Sequence, residues 1–343
     1  MPLSLEKTPS SLWILTDGKA GDVAQCRGVA EALGAPFEER QVAPRAPFSW
    51  FMPFGPIDLR ERETCPGSPI APPYPDIVIA SGRRTVAYLR RVKRLSGGRT
   101  FTVFLKDPRT GPDAADLIWV PEHDKLRGRN VLVTPTSPHR FSAAQLAELR
   151  RQQTADVDSL PRPRVAVLVG GDSRHHRFSE DDQSRLLNGL RELAHTSNVH
   201  FMITASRRTP AGLAYGLAGL AKSGDHLYWT GEEPNPYGLY LAKADAIIAT
   251  ADSTNMIGEA TATGKPVHVF EPGGGHDKIT RFLGTLRRLG VIHPFPGPLK
   301  TTTYEPIDAT PVIVQRILSD FSAFRQNQNN AQMGQPGHAN AGT

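Results

Sequence analysis

Four short stretches of this chain hold residue types suited to chemistry on phosphates and sugars. TDGKAGD (16–22), VGGDSR (169–174), ASRRT (205–209) and TADSTNMIGEA (250–260) each close an apolar run with glycines or small polar residues. Glycines at such points let the backbone come close to a ligand, and the free N–H groups of a following helix favour an anion. Gly18 and Gly21 serve the first turn, and Gly171, Ser173 and Arg174 the second. Ser206, Arg207, Arg208 and Thr209 form the third, and together these groups suit a diphosphate, because planar guanidinium groups grip phosphate oxygens. The fourth stretch offers Asp252, Ser253, Thr254 and Asn255 at a strand end, with Glu259 one to two turns into a helix. A carboxylate placed there reaches a bound polyol such as ribose.

Plainer roles compete with each of these. Asp22 stands at a helix entrance and could be an N-cap, as could Ser253, although capping does not explain Glu259. ASRRT also reads as a solvated helix start, and EPGGGHDK (271–278) as either a ligand loop or a long connection. The neighbours His175 and His176 diverge on most backbones and have no carboxylates at ligand spacing, so no metal is expected. Cys26 and Cys65 form neither a disulfide framework nor a metal motif and read as reduced structural thiols.

The elements that must position these turns alternate strand with helix. Short apolar runs at 12–15, 77–80, 101–105, 117–120 and 130–133 predict strands in the first half. Runs at 165–169, 199–203, 246–249 and 267–270 predict them in the second. Helix-period segments lie at 23–33, 85–95, 179–194 and 254–263, which argues for parallel sheets in an α/β protein. A polar, proline-containing stretch at 154–163 marks a boundary. The expected organisation is an N-terminal Rossmann-like domain at 1–155 and a second at 162–310, facing each other across a cleft. An amphipathic helix at 311–326 and a disordered tail at 327–343 follow.

Composition narrows the function. The 343 residues are 39% hydrophobic and 22% charged, with net charge +6, which favours anionic partners without suggesting nucleic acid. No apolar stretch reaches bilayer-spanning length and no signal-peptide pattern opens the chain, so a cytoplasmic protein is expected. Residues 81–106 carry eight Lys or Arg and no Asp or Glu. Arg90, Arg91 and Arg94 on a helix at 85–95 would meet an anionic membrane surface peripherally, at the inner membrane, or simply face water. Residues 43–75 contain nine prolines and the aromatic knot FSWFMPFG, a candidate acceptor-side lid or membrane-touching loop. Neither a dinucleotide fingerprint nor a P-loop is present, and no cofactor is expected. That absence, with the lack of a Tyr-x-x-x-Lys pair, counts against a nucleotide-sugar epimerase.

Several blocks in order, among them LTDGKAGDVAQCRGVAEALG, PDIVIASGRRT, VLVGGDSR, ITASRRTP and NPYGLYLAKADAIIATADSTNMIGEATATGKPV, resemble the Elm family of mitochondrial fission proteins. The resemblance spans roughly residues 11–290. A more distant one is to the donor domain of GT-B glycosyltransferases, carried by Tyr240, Ala244–Asp245, Ser253, Glu259–Ala260, Gly264 and Pro266. It implies a GT-B-like fold and a metal-independent transferase using a nucleotide-diphosphate sugar, with Glu259 on the donor ribose. GKAGD resembles the Gly-rich turn of lipid-A-disaccharide synthases, which implies that Asp22 acts as the base toward an acceptor that is membrane-associated. The alternative implied by the Elm resemblance is a non-catalytic recruitment protein that retains the fold.

Overall fold

A computed structural model describes residues 9–232 and 234–333. It divides into two compact units, Met1–Thr134 with Thr310–Thr343, and Pro135–Ala309. The first unit contains β1 (Leu12–Thr16), α1 (Ala20–Leu33), β2 (Phe37–Gln41), β3 (Ile77–Ser81), α2 (Val86–Leu95), β4 (Phe101–Leu105), β5 (Leu117–Pro121) and β6 (Val131–Thr134). Its strands form one parallel sheet in the order β2-β1-β3-β4-β5-β6. Every residue of β1, β3, β4 and β5 is buried, which is why they read as unbroken apolar runs. The register pairs Thr16 with Ser81 and Ser81 with Leu105, so the residues after these three strands lie side by side.

The second unit contains α3 (Ala143–Arg151), α4 (Ala155–Ser159), β7 (Arg164–Val169), α5 (Glu180–Ser197), β8 (His200–Ala205), α6 (Ala211–Lys222) and β9 (Leu227–Tyr228). It continues with α7 (Tyr237–Lys243), β10 (Ala246–Thr250), α8 (Thr254–Thr261), β11 (Val267–Phe270), α9 (Asp277–Arg288) and β12 (Ile292–Phe295). The parallel sheet runs β12-β11-β10-β7-β8-β9. The chain winds outward from β7 in one direction and from β10 in the other. The carboxyl ends of these neighbours are therefore the switch point, where open α/β sheets bind ligands. In the first sheet the corresponding point lies between β1 and β3.

Three expectations are corrected. The boundary falls at 134/135 rather than near 154–163, because Phe141, Leu146, Val157 and Leu160 pack into the core of the second unit. The last helix, α10 (Ala309–Met333), belongs to the first unit beyond its opening residue. There Phe321 and Phe324 stack edge-on against Phe101, and Lys93 lies 4.2 Å from the Phe324 ring. Residues 327–333 of the expected disordered tail are thus helical, and 334–343 lie outside the described residues. Third, residues 43–75 are not a free lid. Met52, Ile57 and Ile70 enter the core, and buried Asp58 accepts hydrogen bonds from Arg45 and the Arg60 amide.

Two glycines make the packing testable. A Cβ on Gly171 would stand 2.0 Å from the carbonyl oxygen of Arg208, whereas one on Gly284 in α9 would meet nothing within 4 Å. Gly171→Ala should lower stability by about 2 kcal/mol, and Gly284→Ala should raise it by about 0.5–1 kcal/mol. Thermal melts of the two variants beside wild type check both signs.

Candidate functional site

At the switch point of the second unit, one carboxylate ties three strand ends together. The Asp252 side chain is fully buried and accepts from the Gly171 amide at 3.0 Å and the Thr250 hydroxyl at 2.6 Å. Arg208 forms an ion pair with it at 3.0 Å and also donates to the carbonyl of Asp172 at 2.9 Å. Thr250 accepts in turn from the Gly170 amide, and Thr209 donates to the Gly170 carbonyl. Ser206 accepts from the Arg208 amide, fixing the turn. Gly171 is required here because the backbone after β8 passes where a side chain would be.

The two glycine loops of this unit are laced to one another. Arg177 donates its amide to Gly273, Gly275 donates to His175, and His176 bridges Gly274. Ser173 folds inward, accepting from the amides of His175 and His176. Arg174 and Arg207 are exposed. The buried Nδ1 of His176 has no hydrogen-bond partner among the described residues, an unusual state for a buried polar atom. Burial pulls its pKa down, opposed by the charge of Asp252, so the ring is neutral.

Beside this cluster opens a cavity of about 680 Å³, lined by Arg207, Tyr228, Trp229, Asn235, Tyr237 and Met256 among others. Its volume and aromatic wall are of the kind that holds a small organic ligand. Tyr237 donates its hydroxyl to Glu259 at 2.5 Å. Glu259 lies one turn beyond Met256 on α8. Burial pushes the Glu259 carboxyl up to about 7, against the opposing pull of the Tyr237 hydrogen bond and the Arg140 charge. Burial and the Glu259 charge hold the Tyr237 phenol well above its ordinary value, so it stays neutral and donates. Ser253 caps α8, accepting from the Met256 amide at 3.3 Å.

The first unit has its own polar end. Lys19 occupies the N-cap position of α1, with no side chain capping it. Asp22 is therefore not a cap. It is buried inside the first turn and ion-paired with Lys106. Lys106 follows β4 directly, with φ of 82°, a left-handed conformation that costs a non-glycine residue about 1–2 kcal/mol. Asp17 pairs with Lys19 at 2.8 Å, and Gly18 takes a positive φ of 83°. Cys26 is buried beside this pair, and burial, with the Asp22 charge, pushes its thiol up, so it stays protonated.

The structure thus brings Gly171, Arg208, Ser206, Thr209 and Asp252 into one hydrogen-bonded cluster, with Glu259 behind the cavity. Gly18, Gly21 and Asp22 lie in the other unit. Asp252 and Arg208, expected as ligand groups, are bonded to each other. The sequence reading did not single out Tyr228, Trp229, Tyr237, Arg140 or Lys106. For Lys106 a signal existed, since it directly ends an apolar run. Trp229 lay in a polar stretch with no strand pattern to place it.

Residues 20–321 match the family described as mitochondrial fission ELM1. The mitochondrial fission protein ELM1 of Arabidopsis thaliana is 30% identical, with 73% of this chain and 64% of the plant protein covered. This chain therefore spans a little under two thirds of that relative's length. Among solved structures, UDP-GlcNAc 2-epimerase of Methanocaldococcus jannaschii superposes with a TM-score of 0.52 at 11% identity, covering 90% of this chain and 99% of the other. The S. aureus MnaA–UDP co-structure gives 0.51 at 14% identity, covering 90% and 96%. At such identities the likeness establishes the fold, two Rossmann-like sheets of GT-B-like type, and not the activity. With the match running through nearly all of both sheets, this chain belongs to the mitochondrial fission ELM1 family.

Proposed function

We propose that the second unit binds a nucleotide-diphosphate sugar and that the protein is a metal-independent glycosyltransferase. The observation that carries this reading is the combination at the switch point of β7 and β10. A glycine turn with exposed cations adjoins an aromatic-walled cavity and a carboxyl group held near neutrality. The base would lie against Trp229 and Tyr228, the ribose hydroxyls would donate to Glu259, and the diphosphate would meet the Gly171 turn with Arg174 and Arg207. Arg208 contributes by fixing that turn through Asp252. In the transfer step the acceptor hydroxyl loses its proton to a carboxylate, its oxygen bonds to the anomeric carbon, and the sugar–diphosphate bond breaks. The electron pair leaves with the diphosphate, whose charge the arginines offset. Asp22, at the switch point of the first sheet and ion-paired with Lys106, is the proposed base. Because epimerases share this fold, nucleotide-sugar recognition is the part of the reading best supported by the site, and transfer is the reaction we assign to it.

The proposed acceptor is membrane-associated. Trp50, Phe51 and Phe54 are exposed next to a groove that includes Arg62, Arg90, Arg91 and Arg94. Arg91 is already paired with Glu63 at 2.7 Å, so Arg62, Arg90 and Arg94 supply the attraction for anionic lipid. No helix among the described residues is long and apolar enough to cross a bilayer, and the contact proposed is a peripheral one through these exposed aromatics and arginines.

Three measurements test these statements. Calorimetry with a panel of nucleotide-diphosphate sugars should show binding of at least one. Arg207→Ala should weaken it about tenfold, the equivalent of one charge-assisted hydrogen bond. An absence of binding across the panel overturns the assignment. The second concerns Glu259. Its folded pKa of about 7 lies above the ordinary value of 4.5, so folding favours the protonated form. Its contribution is fully present below about pH 4.5 and is lost as pH rises through 7. Glu259→Gln should therefore be more stable than wild type at pH 8, by roughly 3 kcal/mol at most, with the gap closing toward pH 4.5. Thermal melts across that range read the difference. Third, the chain should sediment with vesicles of mixed neutral and anionic phospholipid, and the W50A/F54A variant should lose most of that binding while keeping its nucleotide affinity.

A further inference from the structure

The edge of the second sheet opposite the nucleotide cavity carries a second cluster of charge. Arg164 opens β7, Asp245 precedes β10, Lys265 lies just before β11, α3 carries Arg150 in its last turn, and α7 ends with Lys243. These residues, with Arg162 and Asp158, line a cavity of about 110 Å³, roughly the liquid volume of three or four waters. Five cations face two carboxylates. Lys243, only 5% exposed, takes both oxygens of Asp158 at 2.5 and 2.7 Å. Arg162 pairs with Asp245. Arg164 is 8% exposed and spends its donors on the carbonyls of Leu160 and Asp158. Both carboxylates are thus committed; of the three cations in excess, Arg164 is held by those carbonyls and lies 3.6 Å from Asp158, which leaves Arg150 and Lys265 without a carboxylate. Arg150 is steered into the cavity by a 3.1 Å bond from its Nε to the carbonyl of Ala242. Neither its terminal nitrogens nor the Lys265 ammonium has an ion-pair or hydrogen-bond partner among the described residues.

A small, partly buried hollow with two unspent cations and a net positive wall attracts an oxyanion, and a guanidinium beside an ammonium matches tetrahedral phosphate oxygens. We propose that Arg150 and Lys265, supported by Arg164 and Lys243, form a second anion site that takes a single phosphate group. It lies at the amino ends of β7, β10 and β11. The nucleotide site of our functional reading uses the carboxyl ends of the same sheet, so the two sites are separate. They share supports. Helix α7 begins with Tyr237 at the nucleotide cavity and ends with Lys243 here, while α8 carries Glu259 and leads within a few residues to Lys265. The phosphate group could belong to free phosphate or to a phosphate monoester.

The test is a thermal-shift and calorimetric titration of the full chain with inorganic phosphate and, separately, with glycerol 3-phosphate. Sodium chloride at matched ionic strength is the control. Wild type should bind at least one of the two and gain melting temperature over the chloride control, as ligand linkage requires. The tighter of the two identifies the source. The R150A/K265A variant should weaken binding at least about tenfold, since two charge-assisted contacts are lost. The R174A/R207A variant should leave it unchanged. Two exposed or half-exposed side chains are altered in R150A/K265A, and an unshifted melt in chloride confirms that this variant is folded. No gain over chloride with either phosphate, equal binding by R150A/K265A, or loss of binding in R174A/R207A would each overturn the assignment.

Discussion

The buried carboxylate of Asp252 is the interaction on which the proposed nucleotide site depends. It sits where the sheet reverses its winding, and its partners come from the ends of three adjacent strands: Thr250 from β10, the Gly171 amide after β7 and Arg208 after β8. Burying a lone carboxylate is costly. Here a guanidinium and two hydrogen bonds satisfy it, and the cost of removing any partner falls on the others. The result is a fixed turn whose Arg207 points to solvent beside the cavity. The Asp252–Arg208 pair acts with the Thr209 hydroxyl on the Gly170 carbonyl and the Asp172 amide on the Arg208 carbonyl to hold the β8 loop over Gly171.

Glu259 illustrates the opposite economy. Its environment raises its pKa toward neutrality, which destabilises the fold at physiological pH instead of supporting it. Tyr237, which lines the cavity, supplies one hydrogen bond and Arg140 a favourable charge to a desolvated carboxyl group that lies behind the cavity wall. Such a group is a liability for stability alone and an asset for binding hydroxyls. In the first unit, Lys106 shows a similar compromise, holding Asp22 from a left-handed backbone position.

Much of this was legible in the sequence because the inner strands of a parallel sheet are buried on both faces and therefore announce themselves as apolar runs. The strands not foreseen, β2, β9 and β12, are all sheet edges. The sequence FEERQ of β2 has no buried residue and no apolar pattern, β9 is two residues long, and β12 contains a proline. Turn residues were located correctly at strand ends, but their partners were not: spacing cannot show that Asp252 and Arg208 would spend their charges on each other. The boundary was misplaced because 154–163 looks like a linker, yet Val157 and Leu160 are core residues. A missing dinucleotide fingerprint speaks only against enzymes that use that cofactor, and the solved UDP-GlcNAc 2-epimerase resembling this chain shares its two-sheet fold.

The most direct test of the account is a crystal structure of the protein soaked with UDP or a UDP-sugar. The base should lie in the cavity against Trp229 and Tyr228, with a ribose hydroxyl within hydrogen-bonding distance of Glu259 and phosphate oxygens at the Gly171 turn with Arg174 or Arg207. Nucleotide bound elsewhere on the molecule, or an empty cavity at saturating nucleotide, would contradict it.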